Sequence, residues 1–376
     1  MIISRTPFRI SFLGGGTDYP AWYEKHGGAV LVTSINKYCY LSCRYLPPFF
    51  RHKYRVVYVR SENTGSVEEI SHPAVRGILK YLDWREGLEI HHDGDLPARG
   101  GMGSSSAFTV GLLHALNGLK GRMMSKRHLA LESIHIEQNV LRETVGSQDQ
   151  VSVAFGGFNH VHFLPGGEIT VTPVTLSGSR IRELEAHLML FYTGIERTAS
   201  TVAESYAGNI EERSSGMEKM RLLVDDGISI LSSRCDMAEF GKLLHEAWKV
   251  KRGFSNRVST RTIDEIYERG IGAGAVGGKV LGAGGGGFVL FLVPPARQRE
   301  VRERLRELVH VPFRFDCSGS QIIFFEPDED YSTAVADNAG CAIRTVTNMN
   351  TLQELTNQPP SATGRQSAER EQEAEK

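Results

Sequence analysis

Residues able to hold an anion stand together in Leu96-Pro97-Ala98-Arg99-Gly100-Gly101-Met102-Gly103-Ser104-Ser105-Ser106-Ala107. Glycines let a backbone take positive φ and approach a phosphate closely. A helix beginning at the serines would aim its unbonded N–H groups and positive dipole end at that phosphate. The serine hydroxyls could cap those N–H groups or reach a metal ion. Taken alone, the same run also reads as a glycine turn with an ordinary serine cap. Two further glycine runs, Gly14-Gly15-Gly16 and Gly282-Ala283-Gly284-Gly285-Gly286-Gly287, add weight to phosphate chemistry. The first leads into Thr17-Asp18, a tight turn that can present a carboxylate to sugar hydroxyls or simply form an Asx turn. Gly282, Gly284 and Gly287 match G-x-G-x-x-G, yet the residues after them, Phe288-Val289-Leu290-Phe291-Leu292, read as a strand. A dinucleotide site needs a helix there, so that chemistry is excluded.

The elements around these runs follow from periodicity. A strand over 2–12 precedes the first run, and a short helix over 21–25 follows it. Strands are predicted at 29–35, 38–45 and 54–58, a helix near 74–82, and a strand over 87–92 leading into the central loop. Residues 108–116 continue as a helix, and Ser125 is placed to cap another over 126–143. Glu137 falls on the same face as Ala130, Ile134 and Leu141. A carboxylate on an apolar stripe must meet a cation, either in a core salt bridge or as a metal ligand. Asp149 follows at an expected junction between this helix and a strand over 151–158, where either a turn aspartate or a catalytic residue would sit. The second half reads as strands at 169–174 and 187–192, helices over 198–232, 236–252 and 259–269, strands around the third glycine run, a helix at 296–308, and strands near 311–315 and 320–325.

The 376 residues suffice for one large or two ordinary domains. A formal charge of −1 gives no bulk field favouring nucleic acid or an acidic membrane. The N-terminus lacks a signal-peptide layout, and no apolar run is long enough to span a bilayer, so a cytoplasmic protein is expected. The five cysteines, at 39, 43, 235, 317 and 341, are scattered without zinc spacing and are expected as reduced core thiols. From about Asp328 the apolar periodicity is lost, and a disordered tail is expected.

In three ordered places the chain resembles the GHMP kinases. These are Arg5-Thr6-Pro7-Phe8-Arg9 through Gly14-Gly15-Gly16-Thr17-Asp18-Tyr19, then Pro97 through Ala107, then Leu281 through Gly287. The resemblance implies an α+β fold of two domains. An N-terminal domain like ribosomal protein S5 domain 2 would span 1–185, a ferredoxin-like C-terminal domain 186–327, and an extension 328–376. It implies that Pro97, Arg99, Gly100, Gly101, Met102, Gly103, Ser104, Ser105 and Ser106 hold the phosphates of ATP, and that Ser105 and Glu137 bind Mg²⁺. Asp149 would accept or orient the acceptor proton, with Arg9 paired to it. Gly15, Gly16, Thr17, Asp18 and the third-run glycines Gly284, Gly285 and Gly286 would shape the substrate site. Within the family the run around Gly14–Pro20 and the segment Gly146–Asn159 are most similar to kinases of heptose 7-phosphate, with fucokinases more distant. Galactokinases carry Glu-His where this chain has Gly15 and Gly16. The expected reaction is therefore ATP-dependent phosphorylation of an anomeric hydroxyl on a sugar phosphate, with no nucleic acid or membrane partner. A non-catalytic ATP/sugar sensor is the alternative of a different class. A phosphorylated substrate needs a second anion site, for which Arg44, Arg51, Lys53, Arg55, Arg99, Arg197, Lys249, Lys251 and Arg252 are the candidates.

Overall fold

In the computed structural model β1 (Ile2–Leu13) runs antiparallel to an 18-residue strand, β2 (Gly28–Tyr45), with Arg9 opposite Ser34. The structure describes residues 1–327 apart from 48, 197–201, 204 and 206–209; Arg197, Cys341 and the expected tail lie outside the described residues. Between the two strands, α1 (Pro20–His26) starts on proline and stops at Gly27, whose φ is 73°. The two stretches expected as separate strands, 29–35 and 38–45, are one continuous strand.

β3 (Tyr54–Val57), β4 (Ser61–Thr64) and β5 (Leu88–Gly94) extend the sheet from the second half of β2, with α2 (Pro73–Tyr81) between β4 and β5. α3 (Ser104–Leu119) and α4 (Lys126–His135) follow, and α4 continues into a π-helical turn, Ile136–Val140, that ends the helix earlier than periodicity suggested. Next is α5 (Gln148–Phe155), where a strand was expected. Val151-Ser152-Val153-Ala154 is short, apolar and β-branched, a pattern that periodicity alone cannot assign. Its side chains are buried all round, packed against α3, α4 and β1. β6 (Phe158–Phe163) pairs with the first half of β2, and β7 (Ile169–Pro173) pairs with β6.

A second, antiparallel sheet has the order β11-β8-β10-β9, from β8 (Leu188–Tyr192), β9 (Gly277–Val280), β10 (Phe288–Leu292) and β11 (Val309–Val311). Its helices are α6 (Gly178–His187), unforeseen in the sequence, α7 (Ser214–Ser232), α8 (Met237–Arg252), α9 (Arg261–Gly272) and α10 (Gln298–Arg304). Two last strands, β12 (Phe315–Asp316) and β13 (Gln321–Phe325), return to the first sheet, pairing with β2 and β1 respectively. The first sheet is thus completed by residues from the end of the segment expected as the second domain.

Phe8 through Leu13 are buried at every position, so both faces of β1 are covered. α3 and α5 pack on it, as do α7 and α8. Arg9 therefore leaves a fully packed strand and has its direction fixed by that packing. Among the described residues no helix is long and apolar enough to cross a membrane. Of the cysteines expected in the core, Cys39 and Cys43 are buried, with thiols pushed up by burial, whereas Cys235 and Cys317 are exposed.

Candidate active site

Positive φ angles shape the central loop: Arg99 at 60°, Gly101 at 79° and Gly103 at 74°. A left-handed arginine is uncommon and is tolerated only where the surroundings impose it. Gly103 is the N-cap of α3, and no side chain caps the helix. The expected serine cap is absent because the three serines occupy the first helical turn instead. Their N–H groups, together with the helix dipole, are left for an anion.

The helix start also decides which serine meets Glu137. Ser105 is exposed, whereas Ser106, one step of about 100° further round the helix, is buried and donates to Glu137 Oε2 at 3.0 Å. Ser106 is thus the serine that touches this carboxylate, while Ser105, expected to share Mg²⁺ with Glu137, stands exposed on the same turn. Glu137 lies in the π-helical turn, a local widening common at functional positions. Gln150 Nε2 donates to the same oxygen at 2.5 Å, while Glu137 Oε1 has no partner. Burial, and then the charge of Glu143, push the carboxyl up to about 8. A buried carboxylate with one oxygen left over beside the Ser106 hydroxyl fits a hard divalent cation, which would supply the missing countercharge.

Arg9 and Asp149, 140 positions apart, form a two-pronged ion pair, Nε to Oδ1 at 2.7 Å and Nη2 to Oδ2 at 2.6 Å. The remaining terminal nitrogen, Nη1, donates to the carbonyl of Gly101 at 2.6 Å, and the Arg9 backbone N–H donates to Met102 O at 3.0 Å. One arginine thereby fixes a carboxylate to the central loop. Arg9 is 3% exposed and Asp149 25%, so the carboxylate is the open member of the pair.

The third glycine run closes on the central loop backbone to backbone. A Cβ on Gly282 would stand 2.5 Å from Gly101 Cα, and one on Gly287 would stand 2.2 Å from Gly100 O. Phe288 N–H donates to Gly100 O at 3.1 Å. On the other side, Gly285 N–H is taken by Val258 O and Gly287 N–H by Ile195 O, each at 2.8 Å. Gly284 and Gly286 lie close against the same two carbonyls. Gly285 thus spends its N–H within the fold, and Gly284 and Gly286 pack against the segments on either side.

The first glycine run is tied into the fold around it. Asp18 is 1% exposed; Gly16 N–H donates to its Oδ1 at 2.9 Å and Gln148 N–H to its Oδ2 at 3.3 Å. Burial, opposed by the Gly16 hydrogen bond, raises its carboxyl above the usual range, and the Asp149 charge adds to the rise. Thr17 spends its hydroxyl on Gly14 O and Ala29 O. Both residues brace the loop beneath Asp149. Around Gly15 two polar atoms lack partners, Ser11 Oγ and Gln148 Oε1, and a Cβ on Gly15 would lie 3.7 Å from both side chains.

The model of the GHMP kinases N terminal domain matches residues 70–157, and that of the GHMP kinases C terminal matches 232–311. The chain belongs to the GHMP kinases. It is 28% identical over 323 residues to D-glycero-alpha-D-manno-heptose 7-phosphate kinase of Campylobacter jejuni, covering 81% of this chain and 93% of that protein. With the bifunctional fucokinase/GDP-fucose pyrophosphorylase of Arabidopsis thaliana it shares 26% identity, over 80% of this chain and 31% of that one. The crystal structure of a D-glycero-D-manno-heptose 1-phosphate kinase from Bacteroides thetaiotaomicron has the same fold, with a TM-score of 0.69 at 24% identity, over 87% of this chain and all of that one. This GHMP kinase is thus a sugar kinase, a phosphotransferase to an alcohol group, with ATP as donor.

Sequence reasoning missed Ser11 and Gln148 beside this site and named Lys251 only among nine basic candidates for a second anion site. Ser11 and Gln148 carried no signal beyond standing beside Gly15 and Asp149. Lys251 did carry one. Phe240, Leu244, Ala247 and Trp248 form the buried stripe of α8, and Lys251 continues it at helical spacing. Of the other basic candidates for a second anion site, Arg44 and Arg55 are held by Glu89, and Arg252 by Asp264.

Proposed function

We propose that this kinase transfers the γ-phosphoryl group of ATP to the anomeric hydroxyl of a sugar phosphate, with D-glycero-D-manno-heptose 7-phosphate going to the 1,7-bisphosphate. The observation that carries the reading is the Arg9–Asp149 pair tied to Gly101, which puts one open carboxylate and one buried guanidinium at the edge of a phosphate-binding loop. The similarity to the Campylobacter jejuni enzyme supports the choice of sugar.

Phosphoryl transfer asks the protein for position and charge more than for covalent chemistry. In the proposed reaction the acceptor oxygen forms a bond to the γ-phosphorus while the bond from that phosphorus to the bridging oxygen of ADP breaks. The acceptor proton passes to the Asp149 carboxylate. An anomeric hydroxyl is more acidic than an ordinary alcohol, so a modest base suffices. Arg9 orients that carboxylate with two hydrogen bonds and adds positive charge where the transferring group becomes more negative. The uncapped turn Ser104–Ser106 receives the donor phosphates. Glu137 and the serines of that turn would hold Mg²⁺, which when bound neutralises charge on the ATP phosphates. Ser11 Oγ and Gln148 Oε1, unpartnered beside Gly15, are placed to hydrogen-bond the acceptor's hydroxyls.

The test is a panel of hexoses, 6-deoxyhexoses and sugar phosphates offered with ATP and Mg²⁺, with ADP release measured and products resolved by phosphorus NMR. Heptose 7-phosphate should be turned over best and yield a new anomeric phosphate signal. A higher kcat/KM on fucose or galactose would reassign the substrate. Absence of ADP release with every acceptor would leave the fold serving as an ATP/sugar sensor.

A further inference from the structure

The mechanism above leaves two buried lysines unused, Lys251 and Lys279, and Lys251 is the one held against the third glycine run. Lys251, on the last turn of α8, is 5% exposed. Its ammonium donates to the carbonyl of Gly282, its one protein partner among the described residues. Two of its three N–H donors are therefore unspent in a place where an unpaired charge is costly. Gly282 is the residue that lies against Gly101, so the ammonium stands one peptide away from the central loop. On the other side of that loop Arg9 holds the Gly101 carbonyl. The two cations approach the phosphate loop from opposite elements, Arg9 from β1 and Lys251 from α8.

We propose that Lys251 contacts the transferring phosphoryl group, its spare N–H donors meeting the oxygens that gain charge as the bond to ADP breaks. The inference rests on the kinase reading above.

The charged groups facing Lys251 agree with an anion as the missing partner. Arg9 from β1 adds positive charge, and Asp18 and Asp149 add negative. Lys279 of β9, also buried, donates to Phe12 O at 2.8 Å, and burial, then Lys251 and Arg9, hold its ammonium well below the ordinary range. Arg9 and Asp149 already neutralise each other and burial raises the Asp18 carboxyl, so among the described residues Lys251 has no carboxylate of its own. Burial first, then Arg9, lower the Lys251 ammonium to about 8. The charged form is the one that binds a phosphate, so activity should fall as pH rises through that region. In the ternary complex the bound anion should hold the proton on more firmly, moving the limb upward in kcat relative to kcat/KM.

Lys251→Gln retains a donor for Gly282 O and removes the charge; Lys251→Arg retains the charge. With ATP, Mg²⁺ and the acceptor turned over by the wild type, the Gln variant should lose about 10²-fold or more in kcat. It should keep ADP affinity within about threefold and lose the alkaline limb of kcat/KM, and Arg should restore at least part of the rate. Wild-type kcat in the Gln variant would overturn the proposal. So would a rise in sugar-phosphate KM with kcat unchanged, which would make Lys251 a ligand of the substrate's own phosphate. A loss of rate with the alkaline limb retained would make it a structural clamp and overturn it equally. If Lys251→Gln does not fold, the wild-type profile decides: a kcat/KM with no fall near pH 8 overturns the assignment. If the wild type turns over no acceptor, the kinase reading itself has failed. Calorimetry then tests Lys251 alone, because the wild type should bind AMP-PNP more tightly than ADP and Lys251→Arg should keep that preference. Equal affinities would overturn the proposal.

Discussion

Replacing Gly282 by alanine places one methyl group in the contact between the third glycine run and the phosphate loop. The new carbon would lie 2.5 Å from Gly101 Cα and 3.0 Å from Gly101 O, against backbone that cannot rotate away. Ordinary carbon contacts are at about 3.5 Å, so the loops must separate by about 1 Å. The φ of Gly282 is 67°, which costs an L-residue about 1–2 kcal/mol, and the overpacking adds about 1–3 kcal/mol. A matched control exists at Gly121, whose φ is 68° and whose added Cβ would meet nothing within 4 Å. For the unit Met1–Glu329 the unfolding entropy is roughly 0.7 kcal/mol/K, so 1 kcal/mol lowers Tm by about 1.5 °C. Gly121→Ala should lower Tm by about 2–3 °C and leave kcat unchanged. Gly282→Ala should lower Tm by about 3–7 °C and reduce kcat by about 10²-fold, the usual cost of a 1 Å misplacement. Calorimetry and a coupled ADP assay measure both quantities. Equal behaviour of the two variants, in Tm and in kcat, would refute the claim that the two loops are locked by backbone contact.

Other perturbations probe the rest of the site. Asp149→Asn keeps the side-chain shape, and kcat should fall by about 10²–10⁴-fold while the KM for ATP changes by less than about threefold; turnover at the wild-type rate removes Asp149 from its role. Glu137→Gln should raise the Mg²⁺ concentration needed for half-maximal rate, and an unchanged Mg²⁺ titration would return Glu137 to a purely structural place in the core. His160, on β6 with its ring 3.7 Å from that of His162, is lowered to about 4 by burial and then by His162. The unfolded chain protonates first, near 6.5, so the stability that neutral His160 supplies is fully present above that pH and is lost as pH falls towards 4. His160→Phe should flatten the pH dependence of Tm between those values, which melting curves at closely spaced pH would show; an unaltered slope would assign the titration to another group.

Much of the site was legible because glycine is needed where backbones meet. The three runs announced the two loops that lock together, and their order announced the family. The pairing of Arg9 with Asp149 was not legible from spacing, since 140 residues separate them and only the shared fold brings β1 to α5. That Ser106 touches Glu137 was not legible, because it depends on helix phase, which shifts by about 100° for each residue of error in the helix start. Val151–Ala154 misled because a buried helix and a buried strand look alike over four apolar residues. Thr17 and Asp18 read as ligands because their types suit a sugar, and no local pattern revealed the backbone N–H groups of Gly16 and Gln148 that meet the Asp18 carboxylate. Lys251 was legible in principle, as a cation on an apolar stripe, but it was hidden among Lys249 and Arg252.

The return of β12 and β13 to the first sheet has a consequence for how the chain is made. Until Gln321–Phe325 leave the ribosome, the outer side of β1 is an open edge along Ile2, Ile3, Ser4 and Arg5. Of the described strands, the one that carries Arg9 is translated before the others and closed last, across a sequence separation of about the whole described chain. Such long-range closure is slow, and the open edge is the natural place for unwanted strand pairing while translation continues. Moving β13 ahead of β1 by circular permutation would let the two strands meet as a local hairpin. Refolding should then accelerate while the active site keeps the same residues in the same places.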